Sequence, residues 1–196
     1  MKKVIQLAFV GMTVLAACKK TETVPAVQQS VEKVSATPQP YTARSLKNAT
    51  ANTYCTSKGN TTTRGYINKV SIETINNLSG NNGGYGDFTS QSVNLEKAAT
   101  YSIELTPGFI QGAAYFEYWT VYIDYNHDGI FEANEIVAKG NAAIKIIKSF
   151  KIPTTAANGP TRMRIQMQEG AQKTDPCAIY TYGEVEDYTV NIATSL

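Results

Sequence analysis

The 196-residue chain contains one histidine, one tryptophan and three cysteines. A lone histidine, His127, excludes an H-E-x-x-H zinc site, and a histidine-assisted serine or cysteine nucleophile would have to recruit that same residue. Glu169, Glu184 and Glu186 supply carboxylates, but nothing in their spacing marks an acid and a base held at a controlled separation. Excess charge of one sign is also missing. Two of the 18 basic residues, Lys2 and Lys3, fall in the first 17 positions, which hold no acid, so the remainder has 16 bases against 16 acids. Such a chain has no general electrostatic drive towards nucleic acid. No long amphipathic helical period, no internal repeat and no glycine-rich phosphate loop leading into a helix can be found. What remains is 42% hydrophobic residues, 12 tyrosines and 14 glycines in a Thr/Asn-rich texture, a composition that favours β-structure in a non-enzymatic domain.

The longest apolar run is N-terminal. Met1-Lys2-Lys3 is a short basic start, Val4 to Ala17 is too short to span a bilayer comfortably, and Leu15-Ala16-Ala17-Cys18 ends it with small residues before a cysteine. The segment resembles the lipobox of bacterial lipoproteins. That resemblance implies cleavage before Cys18, lipidation of its thiol, and a protein anchored to a membrane rather than crossing it. Setting Cys18 aside leaves Cys55 and Cys177, an even pair in an oxidising compartment, and predicts a disulfide closing a loop of about 120 residues. From Lys19 to about Asn52, Thr, Ser, Gln and Ala dominate, and Pro25, Pro38 and Pro40 interrupt. The chain thus divides into a signal peptide (1–17), a lipidated cysteine with a flexible linker (18–52) and one folded domain (53–196).

In the domain, short β-like runs alternate with turn clusters such as Asn81-Asn82-Gly83-Gly84, Pro107-Gly108 and Asn158-Gly159-Pro160. Eight strands are predicted: 67–75, 92–96, 101–106, 116–124, 135–139, 144–152, 161–168 and 184–192. The cleanest alternation sets Met163, Ile165 and Met167 against Arg162, Arg164 and Gln166. The expected fold class is all-β, a single jelly-roll-like sandwich.

One twelve-residue segment carries the sharpest chemistry. Asp124, Asn126 and Asp128 stand at positions 1, 3 and 5, Gly129 at 6, Ile130 at 7, Glu132 at 9 and Glu135 at 12. This is the spacing with which an EF-hand-type loop wraps calcium in six to eight oxygens, with Ile130 giving its carbonyl and Glu135 two oxygens. The flanking residues read as strands, so the loop is expected between strands rather than helices. A second constellation, Tyr182-Gly183-Glu184-Val185-Glu186-Asp187-Tyr188, places carboxylates beside the core whichever face points inward. A buried carboxylate needs a partner, here either calcium or Arg162 and Arg164 on a neighbouring strand. Tyr85, Tyr115, Trp119, Tyr180 and Tyr182 are candidates for an aromatic ligand platform.

Gly183-Glu184-Val185-Glu186-Asp187-Tyr188 resembles the motif that names the GEVED domain family. Tyr54-Cys55, Ile123-Asp124-Tyr125-Asn126-His127-Asp128-Gly129, Thr161-Arg162-Met163-Arg164 and Pro176-Cys177 are similar to further features of that family. The resemblance implies a calcium-containing β-sandwich in an exported protein, of a kind that often accompanies metalloproteases and multidomain surface proteins. The expected role is a non-catalytic envelope lipoprotein on the outer membrane, facing the cell surface or the periplasm, that adheres to or binds a protein or glycan. A glycan-binding accessory and a docking subunit for a partner enzyme or envelope complex are the alternatives.

Overall fold

The computed structural model describes residues 53–194 apart from 111 and 113. The proposed signal peptide, linker and lipidation site Cys18 lie outside the described residues. Ten strands form: β1 (Lys58–Thr61), β2 (Tyr66–Ile72), β3 (Ile75–Asn77), β4 (Tyr85–Glu96), β5 (Thr100–Gly108), β6 (Glu117–Ile123), β7 (Ile136–Ala142), β8 (Ile146–Lys151), β9 (Gly159–Glu169) and β10 (Ile179–Ala193). A single 3-10 turn, Ala133–Glu135, is the one helical element among the described residues. All eight predicted strands are present. The count rises to ten because the run 67–75 breaks at Glu73, whose φ is 46°, into the β2–β3 hairpin, and because β1 forms from the polar residues Lys-Gly-Asn-Thr.

Two sheets pack face to face. The larger follows the order β1-β10-β9-β6-β7 with β4 also paired to β10, and the smaller follows β3-β2-β5-β8. Ile67, Val70, Ile103, Leu105 and Phe150 from the small sheet share one apolar core with Trp119, Val121, Ile165, Met167, Tyr188 and Val190 from the large one. Ile67 and Val70 both reach that core, although strict alternation would separate them, because a bulge at Asn68 shifts the register against β5 between Ile67 and Lys69.

β10 organises the larger sheet. It runs antiparallel to β9 and parallel to two strands on its other edge, β1 over Ile179–Tyr182 and β4 from Val185 onward. At the handover the backbones meet so closely that the Gly84 carbonyl accepts hydrogen bonds from both Gly59 N and Val185 N, at 3.0 and 3.1 Å. Gly183 has φ of +141°, and a Cβ there would run into the Met167 carbonyl, so no side chain fits. The glycine that opens the motif is a requirement of strand crossing.

The outer face of the large sheet is also covered. Ser57 Oγ donates to the Ala178 carbonyl, Gln166 Nε2 to Ser57 Oγ and the Asp175 carbonyl, and Thr120 Oγ1 to the Lys173 carbonyl. The Cys55–Cys177 disulfide, spanning 122 positions, clasps the two covering segments together as cysteine arithmetic predicted. This lid explains why every residue from Gly183 to Tyr188 is buried, on both faces of the strand.

Candidate functional site

The Asp124–Glu135 loop follows β6 and is closed by the 3-10 turn. Asp124 is buried at the strand end, where its Oδ1 accepts the His127 amide at 2.7 Å and its Oδ2 accepts the Gly129 amide at 3.0 Å and the Tyr54 hydroxyl at 2.6 Å. Asn126 Oδ1 accepts the Asp128 amide and Asp128 Oδ1 the Ile130 amide. Buried Glu135 reaches back across the loop, Oε1 to the amides of Tyr125 and Asn126 and Oε2 to that of Glu132. Positive φ at His127 (61°) and Gly129 (86°) lets the chain curl around these acceptors. Burial pushes the Glu135 carboxyl upward and Asp124 adds to the shift, while the three amides oppose it.

Phe131 nails the loop to the outer face of the sheet, its ring 5.0 Å from that of Tyr54, 5.4 Å from that of Tyr122 and 5.3 Å from the Arg164 guanidinium carbon. The donor set of the loop is all oxygen, as a hard cation requires. Asp124, Asn126 and Asp128 each point an Oδ1 that uses one amide and keeps lone-pair capacity. None of the ion pairs among the described residues reaches Asp124, Asp128, Glu132 or Glu135. As they stand, no three His, Cys, Asp or Glu side chains among the described residues converge on one metal position. The residues therefore fit calcium by chemistry and order, with the carboxylates resting on backbone amides.

The β10 carboxylates have different partners. On the outer face, Asp187 receives a two-pronged grip from Arg164, Nε to Oδ1 and Nη2 to Oδ2 at 2.8 Å each, plus Arg162 Nη1 at 3.3 Å and the Tyr85 hydroxyl at 3.1 Å. Arg164 spends Nη1 on the carbonyls of Cys55 and Pro176, which ties this pair to both covering segments. On the inner face, Glu184 accepts the amides of Ile67, Asn82 and Gly84 at 2.7 to 3.2 Å. Glu186 accepts the Tyr188 hydroxyl at 2.6 Å and Asn82 Nδ2 at 3.3 Å. Burial pushes Glu186 up to about 7, Glu184 adds to that, and hydrogen bonds from Ser79 and Tyr188 oppose it. Of the three β10 carboxylates, the two arginines thus serve only Asp187. Glu184 and Glu186 point to the opposite face and clamp the 79–84 loop instead.

A family model matches residues 118–191. The matching family is the GEVED domain, to which this span is similar. The span runs from β6 through the Asp124–Glu135 loop to β10, and the name motif is the two-faced carboxylate strand just described. No curated protein matches the chain. Outside the matched span, β2, β3 and β5 supply three of the four strands of the small sheet and β1 and β4 the β10 edge, which the motif glutamates hold through Ile67, Asn82 and Gly84.

The expected aromatic platform does not form as one surface. Trp119 and Tyr180 are 1% and 2% exposed, so they are core and cannot face a ligand. Tyr115 and Tyr182 flank the Arg64 guanidinium at 5.9 and 4.6 Å. Tyr85 stands apart, 38% exposed, beside a cavity of about 240 Å³ lined by Tyr54, Lys58, Arg162 and Arg164 with residues 55–57. Sequence reasoning missed Glu117. It is 1% exposed, both its oxygens lack hydrogen-bond partners among the described residues, and burial pushes it up to about 7 with Glu169 adding. Its place two residues before Trp119, in the same inward phase, was the available signal. Gly65 has no Cβ because the Glu117 carboxyl occupies that space.

Proposed function

We propose that this protein is a non-catalytic envelope lipoprotein whose GEVED sandwich binds an extracellular ligand through a surface braced by calcium. The observation that carries the reading is Tyr54. Its hydroxyl rests on Asp124, the first residue of the calcium-type loop, while its ring lines the 240 Å³ cavity and stacks on Arg162 at 4.6 Å. A cation in the loop would be held by Asp124, Asn126, Asp128, the Ile130 carbonyl, Glu132 and Glu135, and would supply the positive charge that the loop lacks. The chain's own part is to orient those oxygens through backbone amides and to pass the rigidity of Asp124 to the cavity wall through Tyr54. The export signal and Cys18 would tether the domain to the outer membrane, and a long linker would hold it off the lipid surface.

The test combines anchoring with binding. Cys18→Ser should move the protein from the membrane fraction to the soluble fraction. Display of the released chain on glycan and extracellular-protein arrays, with calcium and with chelator, should give a calcium-dependent signal, and signal unchanged by chelator would break the link to the loop. Exposed Ile110 and Phe116, at 56% and 65%, favour protein docking as the second reading. A stoichiometric partner lost on Phe116→Ser would support it.

A further inference from the structure

We infer that the cavity between Tyr54 and Tyr85 is a binding site for a carboxylated sugar, of the uronic acid class. The inference rests on the ligand-binding reading above and gives it a chemistry. Among the described residues three cations line the cavity, Lys58, Arg162 and Arg164, and no acidic residue does. Asp187 lies behind the wall and is consumed by the arginines: Arg164 has its Nε, Nη1 and Nη2 engaged, so it forms a closed floor.

Arg162 is different. Among the described residues its one side-chain hydrogen-bond partner is Asp187, at 3.3 Å from Nη1, which leaves most of a five-donor fork for a ligand, and its side chain is 28% exposed. Tyr54 stacks on the guanidinium at 4.6 Å, and the Phe131 ring packs on Tyr54 at 5.0 Å. A planar fork fixed before the ligand arrives suits a carboxylate better than a spherical ion, because less ordering entropy is lost on binding. Lys58 stands exposed at the start of β1 and makes no ion pair among the described residues. Asp87 sits near enough to Arg162 to feel its charge, but its carboxylate is turned to the Thr89 amide and hydroxyl.

Shape narrows the class further. The volume lies below the roughly 300–1,000 Å³ of drug-sized pockets, so it admits about one ring rather than an extended chain. Tyr85 gives an exposed apolar wall whose hydroxyl is pinned to Asp187, so the ring stays where a sugar face could lie on it. Thr56 adds an exposed hydroxyl at the rim.

The experiment is a calorimetric and NMR titration of the purified full chain with glucuronate, glucose, acetate, sulfate and phosphate, at low and moderate salt. Glucuronate should bind with a dissociation constant in the roughly millimolar range, at least about tenfold tighter than glucose or acetate, and weaken with salt. Lys58→Glu, at an exposed position and at unchanged melting temperature, and Arg162→Lys, which keeps the charge but loses the fork, should each weaken glucuronate about tenfold or more. Tyr85→Ala should weaken glucuronate and leave acetate unaffected. Equal affinity for glucose overturns the carboxylate, equal affinity for acetate overturns the sugar, and sulfate or phosphate binding as tightly overturns the planar-acid assignment. An array ligand that binds the Lys58→Glu and Arg162→Lys variants as well as wild type would remove this site while leaving the binding-module reading intact.

Discussion

The chain concentrates acid in two places, four carboxylates in the Asp124–Glu135 loop and three between Glu184 and Asp187, and it treats them in opposite ways. In the strand, each acid is buried and has its own donors inside the fold: two arginines for Asp187, three amides for Glu184, a tyrosine and an asparagine for Glu186. In the loop, the acids orient themselves on backbone amides, but no ion pair among the described residues answers their charge. Charge settled within the chain makes a structural joint. Charge without a cationic partner in the fold makes a place where an ion from outside the protein can act on it. Arg164 and Tyr54 link the two regions, since Arg164 grips Asp187 and packs on Phe131 of the loop, while Tyr54 touches Asp124 and Arg162.

The contrast is broken most severely at Asp187. Asp187→Ala leaves Arg164 buried without its counter-ion, and equilibrium denaturation should show a loss of about 3–5 kcal/mol. A loss below about 1 kcal/mol would mean that the joint is not structural. Next comes the clasp over the same strand: Cys177→Ser should cost about 2–4 kcal/mol, read from denaturation midpoints under non-reducing conditions. The loop should respond to its medium where the strand does not. Calcium at a hundred times its dissociation constant should stabilise the domain by about 2.7 kcal/mol, and Asp124→Ala or Glu135→Ala should erase the difference between calcium and chelator melts. The same difference surviving in Glu135→Ala would move the cation elsewhere.

Glu117 sharpens the comparison from outside it, as a buried acid with neither arginine nor amides. Its carboxyl is held up at about 7 in the folded chain against about 4.5 when unfolded, so its stabilising contribution is complete below pH ~4.5 and is lost as pH rises through ~7. Glu117→Gln should therefore stabilise the domain at pH 8 by about 1–3 kcal/mol and change little at pH 4. Melting curves of the pair across that range should converge on acidification, and parallel curves would refute the assignment.

The sandwich was legible because inward aliphatic residues recur at period two, as Met163, Ile165 and Met167 do. The tight turn at 124–135 was legible because closely spaced Asp, Asn and Gly specify a turn from local sequence alone. β1 was not, because Lys58 to Thr61 has no apolar alternation and becomes a strand only by pairing with β10. The first half of β4, Tyr85 to Gln91, is equally polar and owes its strand character to the same partner. Nor could the sequence divide the motif acids between arginines and amides, since the Glu184 partners lie 100 to 117 positions away and both faces of β10 are buried. The aromatic run at 115–122 hid a similar split, with Tyr115 and Phe116 outside and Trp119 and Tyr122 inside.

The disulfide has a mechanical consequence. When the chain is pulled by its two ends, tension arriving at Cys55 crosses the covalent bond to Cys177 and continues into β10, bypassing the residues between them. Of the described strands only β10 lies on the load path, and it is held on one edge by β9 and on the other by β1 and β4. Nine strands are thereby shielded from stretching, and the slack they contain, roughly 400 Å if fully extended, is released only when the bond is reduced.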